Sequence, residues 1–178
     1  MAYHFFLHDF DTFAADMHLY TDATDKDFGG IYGHKWFQGS FPEDMTIAGE
    51  RISMAFLELY PIVMACVLWG QEWTKKRIVF HCDNMSTVDI INKGRSKVSL
   101  IMKLMRKLTL VSAYYNFTVR AKHIPGIDNT IADAISRFQM TKFRRLAPWA
   151  DPQPTPCLSA SNLLTLGETK LISYGTMQ

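Results

Sequence analysis

Hydrophobic positions repeat with two periods along the chain, and the changes between them mark the elements. In "HLYTDAT" (18–24) apolar residues stand near alternate positions, and the run ends in turn chemistry, "DKDFGG". A second run, "GGIYGHKWFQGSF" (29–41), follows, and the pair predicts an antiparallel hairpin. A third strand is expected near Met45–Ile52, interrupted by Gly49 and Glu50. From Phe56 to Trp73 the period lengthens: Leu59, Ile62, Val63, Cys66, Val67 and Gly70 recur at three- and four-residue steps, which predicts a helix. Pro61 fits that helix if it starts near Leu57–Tyr60, because first-turn amides have no intrahelical partner.

"KRIVFHCDN" (76–84) is β-branched and aromatic, a strand that ends in Asp83-Asn84, a good helix N-cap pair. A short helix, Ser86–Asn92, stops at Lys93-Gly94. The next, from Lys97 to Tyr114, carries Ile101, Leu104, Met105, Leu108 and Val111 in one stripe, with Lys103, Arg106 and Lys107 off it. "NFTVRAKHI" (116–124) alternates as a strand does, and a last helix is expected over Asn129–Gln139. The order βββαβααβα predicts an α/β fold in the broad sense: a five-stranded mixed (α+β) sheet with flanking helices. Residues 1–16 read as a lead-in and 17–145 as the domain. Residues 146–178 read as a poorly ordered linker or tail, because "RRLAPWADPQPTPCLSASN" holds four of the seven prolines and no periodicity.

Composition narrows this further. The chain has 178 residues, 48% of them hydrophobic and 23 aromatic, enough for one good core. Trp69, Trp73, Met102 and Met105 are assigned to that core. No apolar run reaches membrane-spanning length on this reading, and the first residues, "MAYHFFLHDFDTF", lack a basic leader, so neither a signal peptide nor an anchor is expected. Cys66, Cys82 and Cys157 are odd in number and lack zinc-like spacing. They point to a reducing, intracellular setting (cytoplasm or nucleus) and no metal cage. The net charge of +2 conceals an asymmetry: 6 Lys/Arg against 13 Asp/Glu in residues 1–92, and 13 against 4 in 93–178. Lys93–Lys107 holds six basic residues and no acid. A polyanion site beside a cation-binding pocket would produce that split, and so would an unevenly charged solvated surface.

Four acids fall where a site would form. Asp22 lies in an apolar first strand, Glu58 near the start of the long helix, Asp83 at the end of the fourth strand, and Asp133 one turn into the last helix. Ligand sites of crossover sheets gather at the carboxyl ends of strands and the adjoining helix N-termini. Four carboxylates there would repel one another unless hard divalent cations offset them, and two such ions about 4 Å apart suit phosphodiester chemistry. Singly, each has a plainer explanation: Asp83 as an N-cap, Glu58 as a partner of the helix dipole, His123 as a turn residue before Pro-Gly. Only the joint pattern favours chemistry. The basic segment, with Lys93, Arg95, Lys97, Lys103, Arg106 and Lys107, would then grip a nucleic-acid backbone.

The set "YTDAT…GGIYG", "FLELYPIVMA…WGQEW", "HCDN…INKG.SK" and "AKHIPGIDNTIADAISRF" resembles the ribonuclease H domains of retroelement polyproteins. The nearest likeness is to DIRS-like tyrosine-recombinase retrotransposons, and Gypsy-like elements share the "H-P-G…N…AD…SR" ending. The resemblance covers about residues 17–145 and implies a ribonuclease H fold that cleaves the RNA strand of RNA–DNA hybrids during reverse transcription. It implies two Mg²⁺ (or Mn²⁺) ions held by Asp22, Glu58, Asp83 and Asp133. His123 then matches a mobile histidine that assists proton transfer or product release. Asn84 and Ser96 fall among the nucleic-acid contacts, and a reverse transcriptase domain is the expected partner, with no membrane. Met54, Ala55 and Met85 stand where cellular enzymes carry polar residues that read the hybrid's minor groove. Two other readings remain open: a catalytically quiet module that binds nucleic acid or protein, and a DNA-acting nuclease of the same shape.

Overall fold

The computed structural model describes residues 17–42 and 52–164. Five strands form one mixed sheet: β1 (Met17–Ala23), β2 (Asp27–Tyr32), β3 (Lys35–Ser40), β4 (Arg77–Cys82) and β5 (Thr118–His123), in the order β3-β2-β1-β4-β5. β1, β2 and β3 pair antiparallel, while β4 lies parallel to β1 and to β5. Helices α1 (Met54–Trp69), α2 (Met85–Lys93) and α3 (Ser99–Tyr115) follow the crossovers, then α4 (Thr130–Ser136), α5 (Met140–Leu146) and α6 (Ala160–Leu164). The mixed sheet with flanking helices agrees with the architecture expected from the hydrophobic periods.

Residues of opposite parity on the strands feed two cores. Leu19, Phe28, Tyr32, Phe37, Ile78 and Phe80 pack with α1 and α3, whereas Tyr20, Ile31 and Trp36 pack with α4 and α5 through Ile135 and Phe143. Trp69, Trp73 and Met105 are buried, as their assignment to the core requires, and Met102 packs half-buried against them.

Several boundaries move. The run 29–41 is two strands, because Gly33 adopts φ +60° and turns the chain in two residues between the paired Tyr32 and Lys35. The strand expected at Met45–Ile52 falls almost wholly outside the described residues. α1 begins three residues before Leu57, capped by the Ser53 hydroxyl on the Phe56 amide, so Pro61 lies in its interior. The helix expected over 129–139 ends at Ser136, because Phe138 takes a left-handed conformation (φ 55°) and α5 starts afresh. The span Met54–Trp73 is in fact long and apolar enough to cross a membrane, contrary to the sequence reading. Its window is 72% buried in the domain, however, where it serves as the central core helix.

The proline-rich segment departs furthest from expectation as far as residue 164. Ala147, Ala150 and Leu163 are buried. The Asp151 and Thr155 amides donate to the carbonyls of His34 and Trp36, and the Trp36 indole donates to the Asp151 carbonyl. Arg144 holds the strap with bonds to the carbonyls of Ala150, Asp151 and Pro152 and lies over the Trp36 ring. The physical reason is that β3 is an edge strand. Its outward carbonyls need donors, and a strap with four prolines can serve them without offering a regular edge of its own.

Candidate active site

The carboxyl ends of β1 and β4, the two parallel central strands, meet the start of α2 and the side of α4. Asp22 is the penultimate residue of β1 and faces α4, where the Ser136 hydroxyl donates to its Oδ2. Gly29 makes this approach possible. It pairs with Asp22 across the hairpin, and a Cβ there would lie 2.5 Å from Ile135 Cγ2 and 2.9 Å from the Ser136 amide nitrogen. Glu58 reaches the same edge from α1 on the opposite face and is 3% exposed. One ligand atom each from Glu58, Cys82 and Asp83 lies within 4.8 Å of the others.

The plain explanations for these acids are taken by other residues. Asn84, not Asp83, caps α2, its Oδ1 accepting from the Thr87 amide at 3.0 Å. Glu58 stands beyond the first turn of α1, which contains no acid. Asp83 and Glu58 are therefore free of capping duty. His123 closes the edge from β5, its Nε2 donating to the Asp83 carbonyl at 3.1 Å.

The electrostatics tie the group together. Burial pushes Glu58 up to about 9, and Asp22 and Asp83 push it the same way. Burial also lifts Asp22 to about 6; the Ser136 bond lowers it, while Asp83 and Asp133 raise it. Asp133 differs. Burial raises it, but bonds from Arg137 Nε (2.5 Å) and Lys142 Nζ (3.2 Å) outweigh that and hold it below the usual carboxylate range. The Arg137 charge also acts on Asp22 and Asp83. Burial and mutual repulsion hold Asp22 and Glu58 above the ordinary carboxylate range, a cost that a divalent cation relieves, so their oxygens, with the Asp83 carboxylate beside Glu58, fit hard metal ions. Asp133 fits if a cation displaces Arg137 or Lys142 from one of its oxygens.

The basic segment divides. Lys93 ends α2 paired with Asp89 at 3.0 Å, and Arg95, Ser96 and Lys97 form the connection to α3. Lys103 and Arg106 are exposed on α3. Lys107 is not a surface cation: it is 4% exposed, and burial lowers its pKa. It stands three residues after Leu104 and four before Val111, inside the apolar stripe rather than off it. Met54 and Met85 are exposed at the N-terminal ends of α1 and α2.

Sequence reasoning did not single out Ser136, Arg137, Lys142 or Cys82. The first two were accessible from spacing, because residues three and four after Asp133 share its helix face. Lys142 required knowledge of the break at Phe138, and Cys82 required the strand register.

No protein-family model and no curated protein matches the chain. Among solved structures, it is similar to the N-terminal RNase H domain of a Mycobacterium tuberculosis protein, determined as a fusion with maltose-binding protein. The TM-score is 0.54 at 13% identity, over 75% of this chain and 99% of that one. The fold is therefore ribonuclease H-like.

Proposed function

We propose that this domain is a metal-dependent endonuclease that cuts the RNA strand of RNA–DNA hybrids, in a retroelement that supplies a neighbouring reverse transcriptase. The observation that carries this reading is the coupling of Asp22, Glu58, Asp83 and Asp133 at the carboxyl ends of β1 and β4, with capping of α1 and α2 left to Ser53 and Asn84. The likeness of the fold to an RNase H domain supports it.

In this reading the four carboxylates hold two Mg²⁺ (or Mn²⁺) ions, which when bound supply an activated water and stabilise the leaving oxygen. Ser136 fixes the orientation of Asp22 through its hydroxyl, and Arg137 and Lys142 keep Asp133 ionised. His123 offers an N–H beside Asp83, suited to moving a proton at the departing oxygen. Lys93, Arg95, Lys97, Lys103 and Arg106 hold the sugar-phosphate backbone.

One observation favours the quiet-module alternative. Both oxygens of Asp133 are engaged by cations of the chain itself, an arrangement that serves a binding domain without turnover. End-labelled RNA annealed to DNA, to RNA, or left single separates the two readings. The nuclease cuts RNA in the hybrid alone, in the presence of Mg²⁺ or Mn²⁺. Binding of the hybrid with no cutting by folded protein refutes the enzyme and leaves the module.

A further inference from the structure

We propose that Glu58, Cys82 and Asp83 form a binding site for a thiophilic divalent cation, of the Zn²⁺ or Cd²⁺ kind, which takes the Cys82 thiolate that Mg²⁺ leaves unused together with two carboxylates assigned to the hard-cation site. Adjacent residues on a strand point to opposite faces, so a Cys-Asp pair does not ordinarily share a ligand. Here β4 ends at Cys82 and the chain bends into α2, which brings the thiol and the next carboxylate to one corner. Cys82 Sγ lies 3.8 Å from Glu58 Oε2, and one ligand atom from each of the three residues falls within 4.8 Å of the others. With bonds of about 2.3 Å to sulfur and about 2.1 Å to oxygen, a tetrahedral Zn²⁺ needs a sulfur–oxygen separation of about 3.6 Å. The corner is close to that spacing before any ion arrives.

A separate feature prepares the sulfur. The Asn84 backbone N–H points at Cys82 Sγ at 3.4 Å, a bond that a metal-bound thiolate retains and that steadies its charge. Among the described residues the other two thiols have different surroundings: Cys66 is buried in the apolar core, and Cys157 donates to the Gln38 carbonyl. On binding, a metal–sulfur bond replaces the S–H bond, the proton leaves to the buffer, and water fills the fourth position. Mg²⁺ requires six oxygens in near-octahedral array and has no use for the sulfur, whereas thiolate selects Zn²⁺ and its heavier relatives. An ion so held would draw Glu58 and Asp83 into a tetrahedron and away from the hard-cation arrangement. The binding itself is independent of the proposed nuclease; only the consequence, inhibition by zinc over Mg²⁺, rests on that reading.

The test is a Cd²⁺ titration of the metal-free full chain, followed by the ultraviolet thiolate-to-metal absorption, in a Cys157→Ser background. One equivalent should raise the band, Cys82→Ser should abolish it, and Glu58→Gln should keep the band but weaken binding by about tenfold or more, the scale on which metal sites respond to lost support. No band, a band that survives Cys82→Ser, or undiminished affinity in Glu58→Gln overturns the site. The Glu58→Gln arm decides the matter if Cys82→Ser does not fold. An absorption band in a chain that cuts no hybrid leaves this site standing and removes only the nuclease.

Discussion

Asp22→Asn should stabilise the metal-free domain, increasingly as the pH rises from about 4 and in full above about 6. Burial lifts the Asp22 carboxyl from 3.8 to about 6, against the Ser136 bond and with help from Asp83 and Asp133. A carboxyl whose folded pKa is raised favours the fold while it is protonated. That contribution is complete below about pH 4 and is lost as the pH climbs through about 6. At about 1.36 kcal/mol per pH unit, the interval from 3.8 to about 6 costs the fold about 3 kcal/mol once the group is charged. Asparagine keeps the shape, carries no charge at any pH, and its carbonyl can accept the Ser136 hydroxyl. At pH 8 with a chelator the variant should therefore gain up to about 3 kcal/mol, a midpoint higher by about 6–12 °C for a chain of this size. At pH 4 it should gain nothing. Thermal unfolding followed by circular dichroism at the two pH values measures the difference. Saturating Mg²⁺ should close the gap at pH 8, because the ion binds the wild-type fold. An equal change at both pH values, or a variant less stable at pH 8, would refute the electrostatic account of Asp22.

Gly29→Ala should cost about 1–3 kcal/mol by overpacking. Its Cβ meets the Ser136 backbone, so α4 must lift and the Ser136–Asp22 bond must loosen; denaturant unfolding and hybrid cleavage should weaken together. Arg137→Gln should lower the Mg²⁺ concentration at which thermal stability half-responds, severalfold, because it frees an oxygen of Asp133. Its effect on stability itself should stay below about 1 kcal/mol, since the guanidinium is half exposed. A higher Mg²⁺ requirement would mean that Arg137 assists the ion rather than competing with it. Charge reversal at Arg95 and Lys97 should weaken binding to every duplex and reduce the slope of affinity against salt; an unchanged slope would exclude this connection as the backbone clamp.

The element order was legible because it depends on runs and periods of apolar residues: α2 and α3 follow the helical period, while α1, buried all round from Phe56 to Cys66, and β4, with Ile78, Val79 and Phe80 all buried, are legible as apolar runs. What escaped was decided by single residues whose effect is tertiary. Gly33 splits one predicted strand into two, and Phe138 splits one predicted helix, each through a positive φ that a hydrophobic pattern does not record. Lys107 looked cationic and exposed because its type outweighed its place in the stripe. The proline-rich strap has no periodicity to detect: it is ordered by the open carbonyls of β3, which belong to another part of the chain. At the site, the acids could be chosen by their positions at strand and helix ends. Their support by Ser136, Arg137 and Lys142, and the approach of Cys82 to Glu58, depend on packing between elements that sequence spacing does not determine.

The most direct measurement of the central claim is cleavage of an end-labelled RNA–DNA hybrid by the wild-type chain and by Asp22→Asn, each shown to be folded and to bind the hybrid. The account predicts RNA cutting by the wild type that needs Mg²⁺ or Mn²⁺ and disappears in the variant while binding persists. Cutting that survives Asp22→Asn, or proceeds with the metal chelated, would contradict it.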